Sequence, residues 1–252
     1  MTGDLFVDQP GPDVASASQP RSRAAPLAER LRPSSLDEVV GQEQALAATG
    51  PLGAMVRSGR LRSLVLWGPP GCGKTSIARL LVAATGGQML FLSAVTAGVA
   101  DLRRTFDAAD RIDANGGRPV LFIDEIHRFN RAQQDGLLAR VEAGTITLVG
   151  ATTENPSFAL TSALVSRLDV VVLEPLDGAA LGALLERAEA RLGRPLPLDD
   201  TARDVLVGLA DGDGRALLSL VEALLERGPD EPLDPAGVRA LLARRRPRYD
   251  RG

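Results

Sequence analysis

Ser63-Leu64-Val65-Leu66-Trp67-Gly68-Pro69-Pro70-Gly71-Cys72-Gly73-Lys74-Thr75-Ser76 decides the fold. A short apolar run enters a glycine-rich turn, and beyond it Ile77, Leu80, Leu81 and Ala84 recur at helical spacing. The pattern G-x-x-x-x-G-K-[ST] within it is that of a phosphate-binding loop. In such a loop the backbone N–H groups wrap the phosphates and the lysine reaches the outer two. Among the 29 basic side chains the only lysine is Lys74; every other cation is an arginine. An ammonium is a compact point charge on a flexible stem, whereas a guanidinium is a wide planar fork that such a loop has no room for. The stretch therefore predicts a nucleoside-triphosphate site made of Gly68, Pro69, Pro70, Gly71, Cys72, Gly73, Lys74, Thr75 and Ser76. Cys72, at a variable position of the loop, reads as a small filler.

Outward from this loop the chain alternates apolar strands with amphipathic helices. Residues 89–92, 120–123, 146–149 and 170–173 are nearly continuous apolar runs, and Val99, Leu102, Phe106, Ala109 and Ile112 mark a helix between the first two. Asn130 with Gln133 forms a capping box opening a further helix, with Leu137, Leu138 and Val141 facing inward. Uninterrupted apolar strands separated by helices predict an α/β fold with a parallel sheet covered on both faces. After Glu174-Pro175 only helical patterns remain, at about 178–192, 200–210, 214–227 and 235–244, the last opened by Asp234-Pro235. The predicted organisation is a tail over 1–25, a nucleotide-binding α/β domain over 26–174, a small all-α domain over 175–246 and a tail over 247–252. Within the first tail, Asp4-Leu5-Phe6 reads as part of a frayed terminus rather than a docking peptide.

The run Val120-Leu121-Phe122-Ile123 delivers Asp124 and Glu125 to a strand end about 50 residues after the loop. At that spacing the first carboxylate is placed to hold Mg²⁺ together with the Thr75 hydroxyl, and the second to polarise an attacking water. His127 is the only histidine, which excludes a histidine metal cluster; beside the Asp-Glu strand end it reads as a packing or hydrogen-bonding residue rather than a proton carrier.

Composition sets the outer bounds. A net charge of −3 gives no global positive field, so any nucleic acid must be met by local arginine patches. Aromatic content of 3% argues against a stacking platform for single strands. One cysteine permits no internal disulfide, and no apolar run reaches membrane-spanning length. A cytoplasmic protein with no membrane partner is expected.

Taken with Gly68–Thr75, the stretches Asp124-Glu125-Ile126-His127-Arg128-Phe129-Asn130 and Gly150-Ala151-Thr152-Thr153-Glu154-Asn155-Pro156-Ser157-Phe158 resemble the AAA+ ATPases of the replication-associated recombination protein A family. That family is related to clamp-loader subunits and to the Holliday-junction motor RuvB, and the resemblance covers about residues 26–250. It implies a sheet of strand order 5-1-4-3-2 followed by a helical lid, ATP hydrolysis at subunit interfaces with Mg²⁺, and action on DNA at stalled or gapped replication forks. It further implies forked, gapped or single-stranded DNA as partner, a place at the nucleoid, replication proteins such as single-strand-binding protein nearby, and a homo-oligomer.

The resemblance also assigns roles. Thr152 matches the polar sensor between phosphates and water, with Thr153 or Asn155 as alternatives. Arg167 of Ser166-Arg167 matches the arginine finger that enters a neighbouring subunit's site, the plain alternative being a pair with Asp169. Arg215 of Gly212-Asp213-Gly214-Arg215 matches the lid arginine that meets the γ-phosphate in cis; where the family usually follows with a second arginine, this chain has Ala216. Val39 and Val40 match the segment that holds adenine, and Ser93 the residue that restrains Glu125. The catalytic set expected is thus Glu125, Lys74, Thr152, Arg167 and Arg215. Family members continue beyond the lid into an assembly domain, so a chain ending at Gly252 is expected to assemble less readily. Two alternatives remain at the sequence level: a clamp-loader-like subunit using ATP structurally, which retention of Lys74, Asp124, Glu125 and Arg167 disfavours, and a RuvB-like branch-migration ATPase, which would need a further DNA-binding domain.

Overall fold

The computed structural model describes residues 25–227 and 232–243. The expected tails at 1–24 and 247–252, the Asp4-Leu5-Phe6 cluster and the last residues of the expected lid, 244–246, lie outside the described residues.

Helices α1 (Leu27–Arg30), α2 (Glu43–Leu46) and α3 (Pro51–Ser58) precede strand β1 (Leu64–Trp67). Then follow α4 (Lys74–Ala84), β2 (Gln88–Ser93), α5 (Val99–Ala114), β3 (Pro119–Asp124), α6 (Arg131–Glu142) and β4 (Thr147–Thr152). Short helices α7 (Pro156–Ala159) and α8 (Ser162–Val165) lead to β5 (Asp169–Val172). The rest is helical: α9 (Gly178–Leu192), α10 (Asp200–Ala210), α11 (Gly214–Arg227) and α12 (Pro235–Ala243).

The apolar strands form one five-stranded parallel sheet of order β2-β3-β4-β1-β5, the predicted 5-1-4-3-2 order seen from its other edge. Burial on both faces explains the unbroken apolar runs: in β3 every residue from Pro119 to Ile123 is buried. Register fixes what the strand ends share. Trp67 lies opposite Thr152, and Ser93 opposite Asp124, so β1, β3 and β4 all finish at the same edge of the sheet.

The chain divides into two compact units. The first comprises Pro51–Trp67 and Ala78–Val171 and contains most of the sheet. Its core gathers Val65, Leu90, Leu121, Ile123, Ile126, Leu137 and Leu148, and α5 packs on β2 and β3 through Leu102 and Ala109. Val99, expected on that inward face, is 54% exposed in the first turn of α5. The predicted capping box is present: Asn130 Oδ1 accepts from the Gln133 N–H while Gln133 Oε1 accepts from the Asn130 N–H, both at 3.0 Å.

The second unit holds the described residues up to Gly50, the loop residues Gly68–Ile77 and everything described from Val172 on. Each of its four long helices begins at an aspartate. Asp177, Asp199, Asp213 and Asp234 accept from the N–H of Ala180, Ala202, Ala216 and Gly237 at 2.8, 2.7, 2.9 and 2.7 Å. The helices enclose a core of Leu181, Leu184, Leu185, Ala188, Leu206, Leu217, Val221, Leu224 and Val238, on which Leu27 and Leu31 also pack.

Candidate functional site

In the glycine-rich loop, Gly71 and Gly73 stand at φ of 68° and 102°, a region that residues with a Cβ avoid. Lys74 follows as the first residue of α4 and is buried, 8% exposed. Its Nζ donates to the carbonyls of Gly68 at 2.8 Å and Pro69 at 2.7 Å, and among the described residues no carboxylate forms an ion pair with it. Cys72 fills the loop's inner side at 1% exposure. Burial pushes its thiol pKa up, against the opposing pull of the Lys74 ammonium and N–H.

Two residues to which the sequence assigned no role of their own hold this loop. Gln42 is buried, and its Nε2 donates to the Glu174 carbonyl at 2.8 Å and the Cys72 carbonyl at 3.3 Å, while its Oε1 accepts from the Glu174 N–H at 3.3 Å. One side chain thus ties the loop to the segment leaving β5. Asp213 lies against Gly71: a Cβ on that glycine would stand 1.7 Å from Asp213 Oδ1, the oxygen that caps α11. Arg215 is exposed in the first turn of the same helix. Val39 closes the 3₁₀ turn Leu36–Glu38, its N–H donating to the Leu36 carbonyl at 3.1 Å, and Val40 packs half-buried against the helical core.

At the strand ends, Asp124 is the last residue of β3 and is half-buried. Glu125 follows at φ 53°, ψ 47°, left-handed backbone that costs a non-glycine residue about 1–2 kcal/mol. The bend is held by the Arg128 N–H, which donates to the Glu125 carbonyl at 2.9 Å, and by the fully buried Ile126. It brings the Glu125 carboxylate back over His127, whose Nδ1 lies 3.2 Å from Glu125 Oε2 and 2.9 Å from Thr152 Oγ1. His127 Nε2 lies 3.3 Å from Glu154 Oε1.

Thr152, expected to face phosphate and water, turns inward and is fully buried. Its hydroxyl donates to the Glu154 carbonyl at 3.2 Å and accepts from the Glu154 N–H at 3.0 Å. Thr153 is the exposed hydroxyl here, its Oγ1 3.5 Å from Glu125 Oε2. Asn155 Oδ1 accepts from the Ser157 N–H at 3.0 Å and opens α7. Ser93 sits beside Asp124 in the sheet register, whereas the Glu125 oxygen is met by His127 and Thr153. Arg167, just after α8, pairs with Glu142 at 3.0 Å, while Asp169 pairs with Arg62 at 2.9 Å.

These residues fit a magnesium nucleotide. The loop offers positive-φ glycines where backbone must approach phosphate, and a buried cation that, among the described residues, is met by neutral carbonyls. Among the described residues no group of three or more His, Cys, Asp or Glu is placed to hold a metal ion. Mg²⁺ takes one or two protein oxygens and completes its shell with water and phosphate, and the Thr75 hydroxyl and Asp124 carboxylate are oxygen donors of that kind.

Residues 64–176 match the family of ATPases associated with various cellular activities (AAA). The chain is 45% identical to replication-associated recombination protein A of Coxiella burnetii over 82% of its own length and 48% of that protein. It is 39% identical to the protein of the same name in Escherichia coli K12, over 86% and 49%. Among solved structures, the Holliday junction branch migration motor RuvB of Thermotoga maritima superposes with a TM-score of 0.67 at 28% identity, covering 84% of this chain and 72% of that one. The chain spans about half the length of the recombination proteins it matches.

Proposed function

We propose, from the match of residues 64–176 to the AAA family of ATPases and the similarity of most of the chain to replication-associated recombination protein A, that this protein hydrolyses ATP and acts on DNA at stalled or gapped replication forks. The observation that carries the nucleotide-binding part of this reading is Lys74. A buried ammonium answered only by neutral carbonyls is costly, and an anion in the loop removes that cost. With ATP present, Nζ leaves the Gly68 and Pro69 carbonyls for the β- and γ-phosphates, and the loop N–H groups wrap the chain of phosphates. Val39 and Val40 line the adenine. Thr75 and Asp124 would hold Mg²⁺, which when bound would draw charge from the phosphate oxygens.

Glu125 orients and polarises the water that attacks the γ-phosphate. Thr153, the exposed hydroxyl next to that carboxylate, is the better candidate to meet the water or phosphate, and the buried Thr152 supports it. Arg215 meets the γ-phosphate from the lid, and Arg167 serves a neighbouring subunit's site by exchanging its Glu142 partner for phosphate. An α/β ATP-binding domain over 26–174 and a lid over 175–246 remain the functional division this mechanism uses.

The decisive experiment is phosphate release with Mg²⁺, without DNA and with forked, gapped or four-way-junction DNA. Turnover stimulated by forks or gaps supports the proposal; ATP binding without turnover under every condition contradicts it in favour of structural use of ATP. The likeness to RuvB favours a second reading, a branch-migration motor, and stimulation confined to the four-way junction selects that one.

A further inference from the structure

We propose that His127 is a positioning residue for hydrolysis: its Nδ1–H holds the Glu125 carboxylate at the edge of the sheet and fastens it to Thr152 at the end of β4. The inference rests on the assignment of Glu125 above and extends it to a residue with no role there.

Proton bookkeeping gives the direction of the bonds. The one hydroxyl hydrogen of Thr152 goes to the Glu154 carbonyl at 3.2 Å, and the same oxygen already accepts from the Glu154 N–H at 3.0 Å. An ionised carboxylate only accepts, so a bare Nδ1 at 3.2 Å from Glu125 Oε2 would set lone pair against lone pair. Nδ1 therefore carries the hydrogen and shares it between Glu125 Oε2 and Thr152 Oγ1, the latter at 2.9 Å. The ring has little freedom to leave this arrangement, because its side chain is 4% exposed.

The geometry answers a specific difficulty. Glu125 sits past the end of β3 on left-handed backbone, and among the described residues the other polar group that meets its carboxylate is the Thr153 hydroxyl at 3.5 Å. A flexible carboxylate with three rotatable bonds orients water poorly unless a neighbour fixes it. His127 supplies a fixed donor two residues along the same bend, and Thr152 fixes His127 in turn to β4. Nε2 lies 3.3 Å from Glu154 Oε1, but that carboxylate is largely exposed and can turn into solvent, so it does not decide which ring nitrogen carries the hydrogen, and it does not touch Glu125.

The two ring nitrogens can be tested apart, because an asparagine amide nitrogen falls near the place of Nδ1 and a glutamine amide nitrogen near that of Nε2. His127→Ala, His127→Asn and His127→Gln are compared with the parent and with Glu125→Gln, following kcat, KM, fluorescent-ATP affinity and thermal unfolding. The proposal expects kcat to fall by about 10²-fold in His127→Ala and His127→Gln. His127→Asn should return to within about tenfold of the parent, and all three should bind ATP with parental affinity. Parental kcat in His127→Ala overturns it. A kcat above the parental value overturns it too, because His127 would then restrain Glu125. Equal losses in the Asn and Gln variants accompanied by weakened ATP binding would reduce His127 to a structural residue. Full turnover in Glu125→Gln would instead remove the assignment beneath the proposal, a different failure from the three above.

Discussion

Asp213 occupies the space that a side chain on Gly71 would need. The ideal Cβ of that loop glycine falls 1.7 Å from Asp213 Oδ1 and 2.9 Å from its Cα, so a rotamer change alone does not make room and the backbone must shift as well. The same carboxylate oxygen caps α11, which carries Arg215. Gly71→Ala must therefore both strain a backbone at φ 68° and displace the cap. Strain of about 1–2 kcal/mol and loss of a cap of about 1 kcal/mol combine, so thermal unfolding should move down by several degrees. ATP affinity should fall with it. A variant with the parent's stability and affinity would show that the loop and the start of α11 are not coupled.

Lys74→Arg is the second prediction. Nζ sits between two carbonyls 2.8 and 2.7 Å away in a residue only 8% exposed, and a planar guanidinium has no such slot. Although the chain uses arginine at every other basic position, this substitution should cost nearly all turnover and most ATP affinity. Hydrolysis within a factor of a few of the parent would contradict the reading of the loop.

Cys72 is expected to resist alkylation. Burial disfavours the thiolate, so its pKa lies above the ordinary thiol value and at any given pH less thiolate is present to react. Iodoacetamide should label the native protein far more slowly than the unfolded chain. The rate should begin to climb only above the pH at which a free thiol ionises. Rapid labelling at neutral pH would show that the Lys74 ammonium outweighs burial.

The fold was legible because its signals are local. Apolar runs with no polar interruption marked buried parallel strands, and a capping asparagine or aspartate marked helix starts at Asn130 and Asp234. The phosphate loop was legible because its chemistry lies within eight residues. Gln42 was not, since its partners are 30 and 132 positions away. Asp213 was read as part of a motif, but its seat against Gly71 depends on tertiary approach. Which of Thr152 and Thr153 faces solvent is a one-residue question of strand register, and residue types alone left it open. His127 stood two residues after Glu125 in sequence, yet its importance comes from the left-handed turn that folds the carboxylate back, a conformation that no pattern at Asp-Glu announces.

Arg167→Ala separates fold from function. The Arg167–Glu142 pair is half exposed, with side chains 54% and 45% accessible, and such pairs contribute about 0–1 kcal/mol. Stability should be nearly unchanged. If Arg167 serves a neighbour's site, turnover per subunit should rise with protein concentration in the parent and stay low in the variant. Mixing Arg167→Ala with Glu125→Gln subunits should then restore part of the activity. Concentration-independent activity in Arg167→Ala would leave that arginine as a surface partner of Glu142.

The central claim is that Glu125 polarises the attacking water while other groups grip the nucleotide. Glu125→Gln tests it most directly, since the amide keeps the shape and hydrogen-bonding reach of the side chain and loses its charge. Fluorescent-ATP titration and steady-state phosphate release are measured on the same preparation, with Mg²⁺ and with forked DNA. The account predicts parental ATP affinity and a turnover reduced by two or more orders of magnitude, about 10²-fold or greater. Turnover close to the parent's, with ATP still bound, would contradict it.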